Sequence, residues 1–164
     1  MKIGLDLDGV LYDWCRAVYI ELTIYHKLDE EYNHFWAETY KDYGKGIFWD
    51  NFVRLEHLYG CIPPSRKEME MLNRIAEKHE IYYITARPKE VTLATEFFLK
   101  RHRFPYKENL QFSPRKDMSY IQNKLDVFFD DMPHHIDAIN KVGRGILVKT
   151  VSNLYCCDSY ENVS

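Results

Sequence analysis

Short apolar runs alternate along this chain with stretches whose apolar residues recur every three or four positions. The runs are KIGLD at 2–6, EIYYIT at 80–85, LQF at 110–112, DVFF at 126–129 and GILVK at 145–149, all of strand length. Between them lie helical patterns. Ser65 with Glu68 three residues on makes a capping box ahead of the stripe Met69, Leu72, Ile75 and Ala76. Val91, Ala94, Phe97 and Phe98 repeat the spacing, and 117–125 and 133–141 are shorter helix candidates. Strand alternating with helix predicts an α/β fold: a doubly wound, Rossmann-like parallel sheet with helices on both faces. Tyr155 to Ser164 read as a polar tail or final turn.

Residues 7–79 separate the first strand from the second, too long a stretch for one crossover. The pattern therefore predicts a core domain of 1–13 and 63–164, with 14–62 inserted as a small helical cap. Asp13 is placed to cap a helix running through Tyr25, and IFWDNFVRLEHLY at 47–59 has apolar spacings of three and four. An insertion directly after the first strand sits over the C-terminal edge of the sheet, where open α/β folds bind ligands. It is a candidate lid.

Composition narrows the class. The 164 residues match one domain, and a chain of this size buries roughly 70% of its unfolded surface without staples. Hydrophobic residues at 46% and charged ones at 29% exclude a disordered or collagen-like chain. No apolar run approaches the ~18 residues of a membrane helix, and Asp6 and Asp8 interrupt any signal-peptide core. The expectation is a cytoplasmic protein with no membrane partner and free thiols at Cys15, Cys61, Cys156 and Cys157. A net charge of −3 argues against a stable nucleic-acid complex. The aromatic content is high, with 13 Tyr, 9 Phe and 3 Trp, many of them between residues 32 and 59.

The sharpest chemical signal is DLDGV at 6–10. Two carboxylates two apart at the end of a first strand, with Gly9 freeing the backbone, suit either an Asp-Gly turn or a site. An EF-hand loop fails, because Val10 and Leu11 stand where further ligands are required. Company at other strand ends decides for a site. Thr85 closes the second strand and Ala86 follows it; Lys116 comes just past the third; Asp130 and Asp131 close the fourth. All land on one rim of a parallel sheet. Carboxylates clustered there repel by a few kcal/mol per pair at ~4 Å and an effective dielectric of ~20. A divalent cation holds them ionised together, and oxygen ligation favours Mg²⁺. Lys116 and the Thr85 hydroxyl then face something anionic and oxygen-rich, a phosphate. One aspartate of the first pair can attack phosphorus, and the other can protonate the leaving oxygen.

DLDGV, a Thr ending a strand, a Lys, and a DD ending a strand, in that order, resemble the haloacid dehalogenase-type phosphohydrolases. Within them DLDGVLYDW, the insertion that follows, ITARP and VFFDDMP are most similar to the 5'(3')-deoxyribonucleotidase group, whose members carry a small helical cap at this position. The resemblance implies Asp6 as nucleophile and Asp8 as general acid/base. It implies Thr85, Ala86 and Lys116 at the phosphoryl oxygens, and Mg²⁺ held by Asp6, the backbone carbonyl of Asp8 and one of the closing pair. Asp131 is expected as the direct ligand and Asp130 as a supporting one. Lys124, the rival of Lys116, sits at the end of a helix rather than just past a strand. The substrate implied is a small phosphorylated molecule, a (deoxy)nucleoside 5'-monophosphate. The same chemistry on a phosphosugar or an oligonucleotide end phosphate is the alternative, and a receiver-like phospho-acceptor domain a more distant one. In receiver domains Thr and Lys follow the second acidic element; here both precede it. The oligomeric state stays open, a homodimer included.

This chain departs from the group at Ala86-Arg87, where the resemblance leads to a Ser. Arg87 suits either a phosphate contact or a surface ion pair. The basic run Lys100 to Arg103 reads as a cationic helix C-terminus, and His134-His135 as helix-start residues. There is no GxxxxGK[ST], so a P-loop is excluded. The aromatics of the insertion, among them Trp36, Tyr40, Tyr43, Phe48, Trp49 and Tyr59, either pack the cap's own core or offer a base a stacking platform. Replacing Trp36 or Trp49 by Ala is expected to raise KM for a nucleotide more than for an aryl phosphate; equal effects in steady-state kinetics would mean that neither ring reads a base.

Overall fold

The computed structural model describes residues 1–25 and 54–150, the isolated positions 27, 29 and 31, and the backbone of 162–163. The strands are β1 (Lys2–Leu5), β2 (Glu80–Thr85), β3 (Leu110–Phe112), β4 (Val127–Asp130), β5 (Gly145–Val148) and β6 (Asn162–Val163). Among the described residues they form one parallel sheet in the order β3-β2-β1-β4-β5-β6. Successive strands step outward in opposite directions from β1 and β4. The crevice between these two central strands is therefore the switch point at which such sheets bind ligands.

The helices are α1 (Trp14–Tyr25), α2 (Arg66–Ala76), α3 (Thr92–Arg101), α4 (Lys116–Asn123) and α5 (Pro133–Asn140). Side chains alternate across the sheet with the two-residue period of a strand. Ile3, Leu5, Ile81, Tyr83, Val127 and Ile146 face α2 and α3, where Leu72, Phe98 and Leu99 meet them. Ile84 and Phe128 face the other way, onto Tyr120 of α4 and Ile139 of α5. Gly4, in register with Tyr82 and Phe128, leaves the space that the Phe128 ring and Leu125 fill; a Cβ there would stand 2.3 Å from Phe128 Cδ2.

Local chemistry sets the boundaries. At α2 both halves of the capping box form: the Glu68 N–H donates to Ser65 Oγ (3.2 Å) and the Ser65 N–H to Glu68 Oε2 (2.6 Å). Asp13 caps α1 through the Arg16 N–H (3.0 Å), and Pro133 opens α5, a position that needs no N–H donor.

Several expectations change at their ends. β1 stops at Leu5, one residue short of the predicted strand, and β5 stops at Val148. β4 runs 127–130 rather than 126–129, because Asp126 accepts the Lys2 N–H with its side chain (2.6 Å) and lies at the sheet margin. Within the expected tail, Asn162–Val163 add a sixth strand by pairing with Leu147 and Val148. The described end of the 47–59 helix is not α-helical: Leu55 is extended, and Glu56–Tyr59 form a single 3₁₀ turn. Residues 47–53 and Trp36, Tyr40, Tyr43, Phe48 and Trp49 lie outside the described residues, as do Cys156 and Cys157. No helix among the described residues is long and apolar enough to cross a membrane.

The two ends of the insertion meet. Trp14 stacks on Tyr59 with centroids 4.8 Å apart, His57 Nε2 lies 2.7 Å from Glu21 Oε2, and the Tyr12 hydroxyl donates to the Leu58 carbonyl. They form a neck beside β1. Gly4→Ala is expected to cost about 1–3 kcal/mol by overpacking the Phe128 face, read as a lower urea midpoint; an unchanged midpoint would contradict the close approach.

Candidate active site

Asp6 leaves β1 at its C-terminal end, with its N–H bonded to the Phe129 carbonyl (2.9 Å) and its Oδ1 accepting the Leu7 N–H (2.7 Å). The chain then turns sharply. The amides of Val10, Leu11 and Tyr12 all donate to the Leu7 carbonyl, at 3.3, 2.8 and 2.8 Å. Gly9 makes the turn at φ +76°, which favours glycine. A Cβ at Gly9 would also stand 2.1 Å from Asp131 Oδ2. The glycine is thus required twice, by its backbone angle and by the carboxylate that closes against it.

Lys116 is the first residue of α4, and its side chain is 1% exposed. Its Nζ lies 2.5 Å from Asp6 Oδ2 and 2.7 Å from Asp130 Oδ2. This one ammonium joins the ends of β1 and β4. Lys124 occupies the left-handed C-cap of the same helix and is exposed, so Lys116 is the lysine at the rim. Burial opposes the Lys116 charge, but the two carboxylates outweigh it and raise its pKa.

The four aspartates differ in their surroundings. Asp130 is fully buried, and it accepts from Lys116, from the Met132 N–H (2.8 Å) and from His135 Nδ1 (3.0 Å). Burial raises its pKa, yet the His135 hydrogen bond and the Lys116 charge hold it below the usual carboxylate value. Asp6 is pushed up to about 7, by burial first and then by Asp130 and Asp8, against the pull of Lys116. Asp131 is pushed up to about 8 by burial and by the charges of Asp6 and Asp130. Atoms of Asp6, Asp130 and His135 lie within 4.8 Å of one another, but Lys116 already stands between the two carboxylates. The excess negative charge therefore falls on the Asp131 side.

Asp8 lies across the crevice, its side chain one-quarter exposed. Arg87 grips it from below: Nε donates to Oδ2 at 2.9 Å and the terminal Nη2 to Oδ1 at 2.6 Å. The surface ion pair that Arg87 suits is corrected here, since its side chain is 1% exposed and the pair is internal. Nε and Nη2 are engaged by Asp8 and Nη1 by Thr95 Oγ1 (3.1 Å). Thr85 is buried with its Oγ1 accepting the Arg87 N–H (3.2 Å), and Ala86 is exposed beside it.

Two residues at this site escaped sequence reasoning. His135 was legible only as a helix-start residue; the short DDMP link folds the first turn of α5 back over Asp130. Thr95, which supports Arg87, carries no sequence signal at all.

Residues 1–164 match the family described as 5' nucleotidase, deoxy (pyrimidine), cytosolic type C. The chain belongs to this family. Two proteins that carry the name "Putative nucleotidase" are each 30% identical to it. The one from Bacillus cereus aligns over 93% of this chain and 87% of its own length, and the one from Oceanobacillus iheyensis over 93% and 88%. Among solved structures, a haloacid dehalogenase-like hydrolase from Streptococcus pneumoniae superposes with a TM-score of 0.62 at 11% identity, over 90% of this chain and 84% of its own. A haloacid dehalogenase family hydrolase from Deinococcus radiodurans, solved with bound phosphate and sodium, gives 0.56 at 14% identity, over 90% and 80%. These two likenesses bear on the fold. Family membership makes the protein a haloacid dehalogenase-like phosphoric monoester hydrolase of nucleotidase type, and sets the receiver-domain reading aside.

Because Asp6 and Asp131 bind protons in the folded chain that the unfolded chain releases near 3.8, stability falls as pH rises from about 4 through 8. In the presence of a chelator, the melting temperature is expected to drop across that window. Asp131→Asn is expected to flatten the drop and to melt higher than the parent protein above pH 8. Parallel curves for the two proteins would contradict the charge crowding.

Proposed function

We propose that the protein is a Mg²⁺-dependent phosphomonoesterase that hydrolyses (deoxy)nucleoside 5'-monophosphates through an aspartyl-phosphate on Asp6. The observation that carries the mechanism is the fixed Asp6 carboxylate. With Oδ2 on Lys116 and Oδ1 on the Leu7 N–H, it cannot rotate away from the mouth of the crevice. Attack by Asp6 on phosphorus forms the acyl phosphate and breaks the ester P–O bond, while Asp8 gives its proton to the departing alkoxide. Asp8 then takes a proton from water, which attacks the same phosphorus, releases inorganic phosphate and restores the Asp6 carboxylate. Thr85, whose hydroxyl keeps its proton to donate, the rim at Ala86, and Lys116 would hold the phosphoryl oxygens.

The donor set suits a divalent cation. Among the described residues Asp6, Asp8, Asp130 and Asp131 face only Lys116 and Arg87 as buried cations, and two of the four carboxyls are raised well above their ordinary values. Asp6, Asp131 and the Asp8 carbonyl would hold Mg²⁺, with Asp130 supporting Lys116 behind them. When bound, the ion supplies positive charge to the phosphoryl oxygens and keeps Asp6 ionised. Oxygen ligands at this charge density favour Mg²⁺. In this reading residues 14–62 form a cap over the core of 1–13 and 63–164, and the nucleotide specificity rests on the family and on the nucleotidase names of the relatives. A cytoplasmic setting accords with the cytosolic type named by the family.

Asp6→Asn is expected to abolish phosphate release with the fold intact by circular dichroism, and Asp8→Asn to slow it by ~10²-fold or more. Full activity in the Asp6 variant would remove the covalent route. A phosphate-release screen with Mg²⁺ or chelator should favour 5'-mononucleotides over sugar phosphates and phosphorylated oligonucleotides; the reverse order would reassign the substrate.

A further inference from the structure

Arg87 is one of the most thoroughly enclosed charges in the protein, and the reaction as described does not use it. Its guanidinium meets Asp8 at two points and Thr95 at a third. Its faces are covered by aromatic rings: Cζ lies 5.1 Å from the Tyr12 centroid and 4.6 Å from that of Tyr59. Both rings belong to the neck of the insertion. Tyr12 precedes α1 and reaches the Leu58 carbonyl, with Cys61 Sγ 3.4 Å from its hydroxyl; Tyr59 closes the returning turn and stacks on Trp14. One side chain from the end of β2 thus touches the carboxylate of the first loop and both strands of the neck. A planar fork fits this place and a lysine does not, since only the fork gives two parallel bonds to a carboxylate while stacking on rings.

We propose that Arg87 is a positioning residue, setting the Asp8 carboxylate for proton transfer and tying that setting to the neck of the insertion through Tyr12 and Tyr59. The inference rests on the reading of Asp8 as the general acid/base. The second residue past Thr85 thereby turns its guanidinium onto the Asp8 carboxylate. A neck that shifts would move Tyr59, loosen the sandwich on Arg87 and displace Asp8. The acid would then be in place only while Tyr12 and Tyr59 keep their present seats.

A proton donor matters more for a poor leaving group than for a good one, and this separates positioning from packing. The full-length protein is assayed with a nucleoside 5'-monophosphate and with p-nitrophenyl phosphate, whose phenolate leaves without help. Because the water step needs Asp8 whatever the leaving group, the comparison is made on kcat/KM, which reports the steps through departure of the alcohol: Arg87→Lys is expected to lower it for the nucleotide by ~10-fold or more, with a several-fold smaller loss for the aryl ester. Tyr59→Leu is expected to give the same pattern in milder form. Arg87→Lys added to Asp8→Asn is expected to cost nothing further, as required of residues acting through one another. Thr95→Val removes a support of Arg87 without touching Asp8, and reads the same relation should Arg87→Lys not unfold cooperatively. Equal losses on both substrates, or additive losses in the double variant, would overturn the positioning role. A leaving-group pattern for Arg87 that Tyr59→Leu leaves untouched would overturn the link to the neck. Failure of the acid/base reading itself would show differently, as an Asp8→Asn variant whose kcat/KM falls alike for both substrates.

Discussion

A buried ammonium held between two carboxylates organises the C-terminal rim of this sheet. Removing a charge from water costs several kcal/mol unless partners replace the solvent. Lys116 has those partners in Asp6 and Asp130, at 2.5 and 2.7 Å. The arrangement constrains three elements at once. β1 must deliver Asp6 and β4 must deliver Asp130 to adjacent positions, which their pairing in register ensures. The first turn of α4 must then reach over both. Asp6, its counter-charge and the wall behind them are set by backbone geometry, not by flexible loops.

Asp131 sits on the other side of that arrangement. It closes against Gly9 where any side chain would collide with it, and burial, then the neighbouring charges, raise its pKa to about 8. A fold selected for stability alone would place no carboxyl there. Local destabilisation of this kind is common at functional positions. The difference between these adjacent residues follows from their partners: Asp130 is saturated by Lys116, His135 and the Met132 amide, whereas Asp131 faces the loop after β1 at Gly9.

Arg87 extends the network across the crevice. The same buried fork that holds Asp8 is sandwiched between rings at the base of the insertion. The rim and the joint at Trp14 and Tyr59 therefore share a physical element. Glu21 with His57 and Trp14 on Tyr59 make the neck a packed joint, so displacement at one strand of it is felt at the other.

Much of this was legible before any coordinates. The alternation of apolar runs with helical stripes determined the parallel sheet, because each period fits one kind of surface. DLDGV, Thr85, Lys116 and Asp130-Asp131 fell at strand ends, so parallel topology alone sent them to one rim. The capping box at Ser65 and Glu68 was readable because its bonds are local. Other features depended on residues far apart in the chain. The internal pairing of Arg87 with Asp8, the reach of His135 back to Asp130, and β6 beside β5 arise only when separate segments meet. No spacing in the sequence encodes those distances, and a charged residue at a strand end looks the same whether it turns outward to water or inward to a carboxylate. The residue types and their order were determined by the sequence itself; which charge neutralises which was decided by tertiary packing, since burial removes the solvent that would otherwise serve every one of them equally.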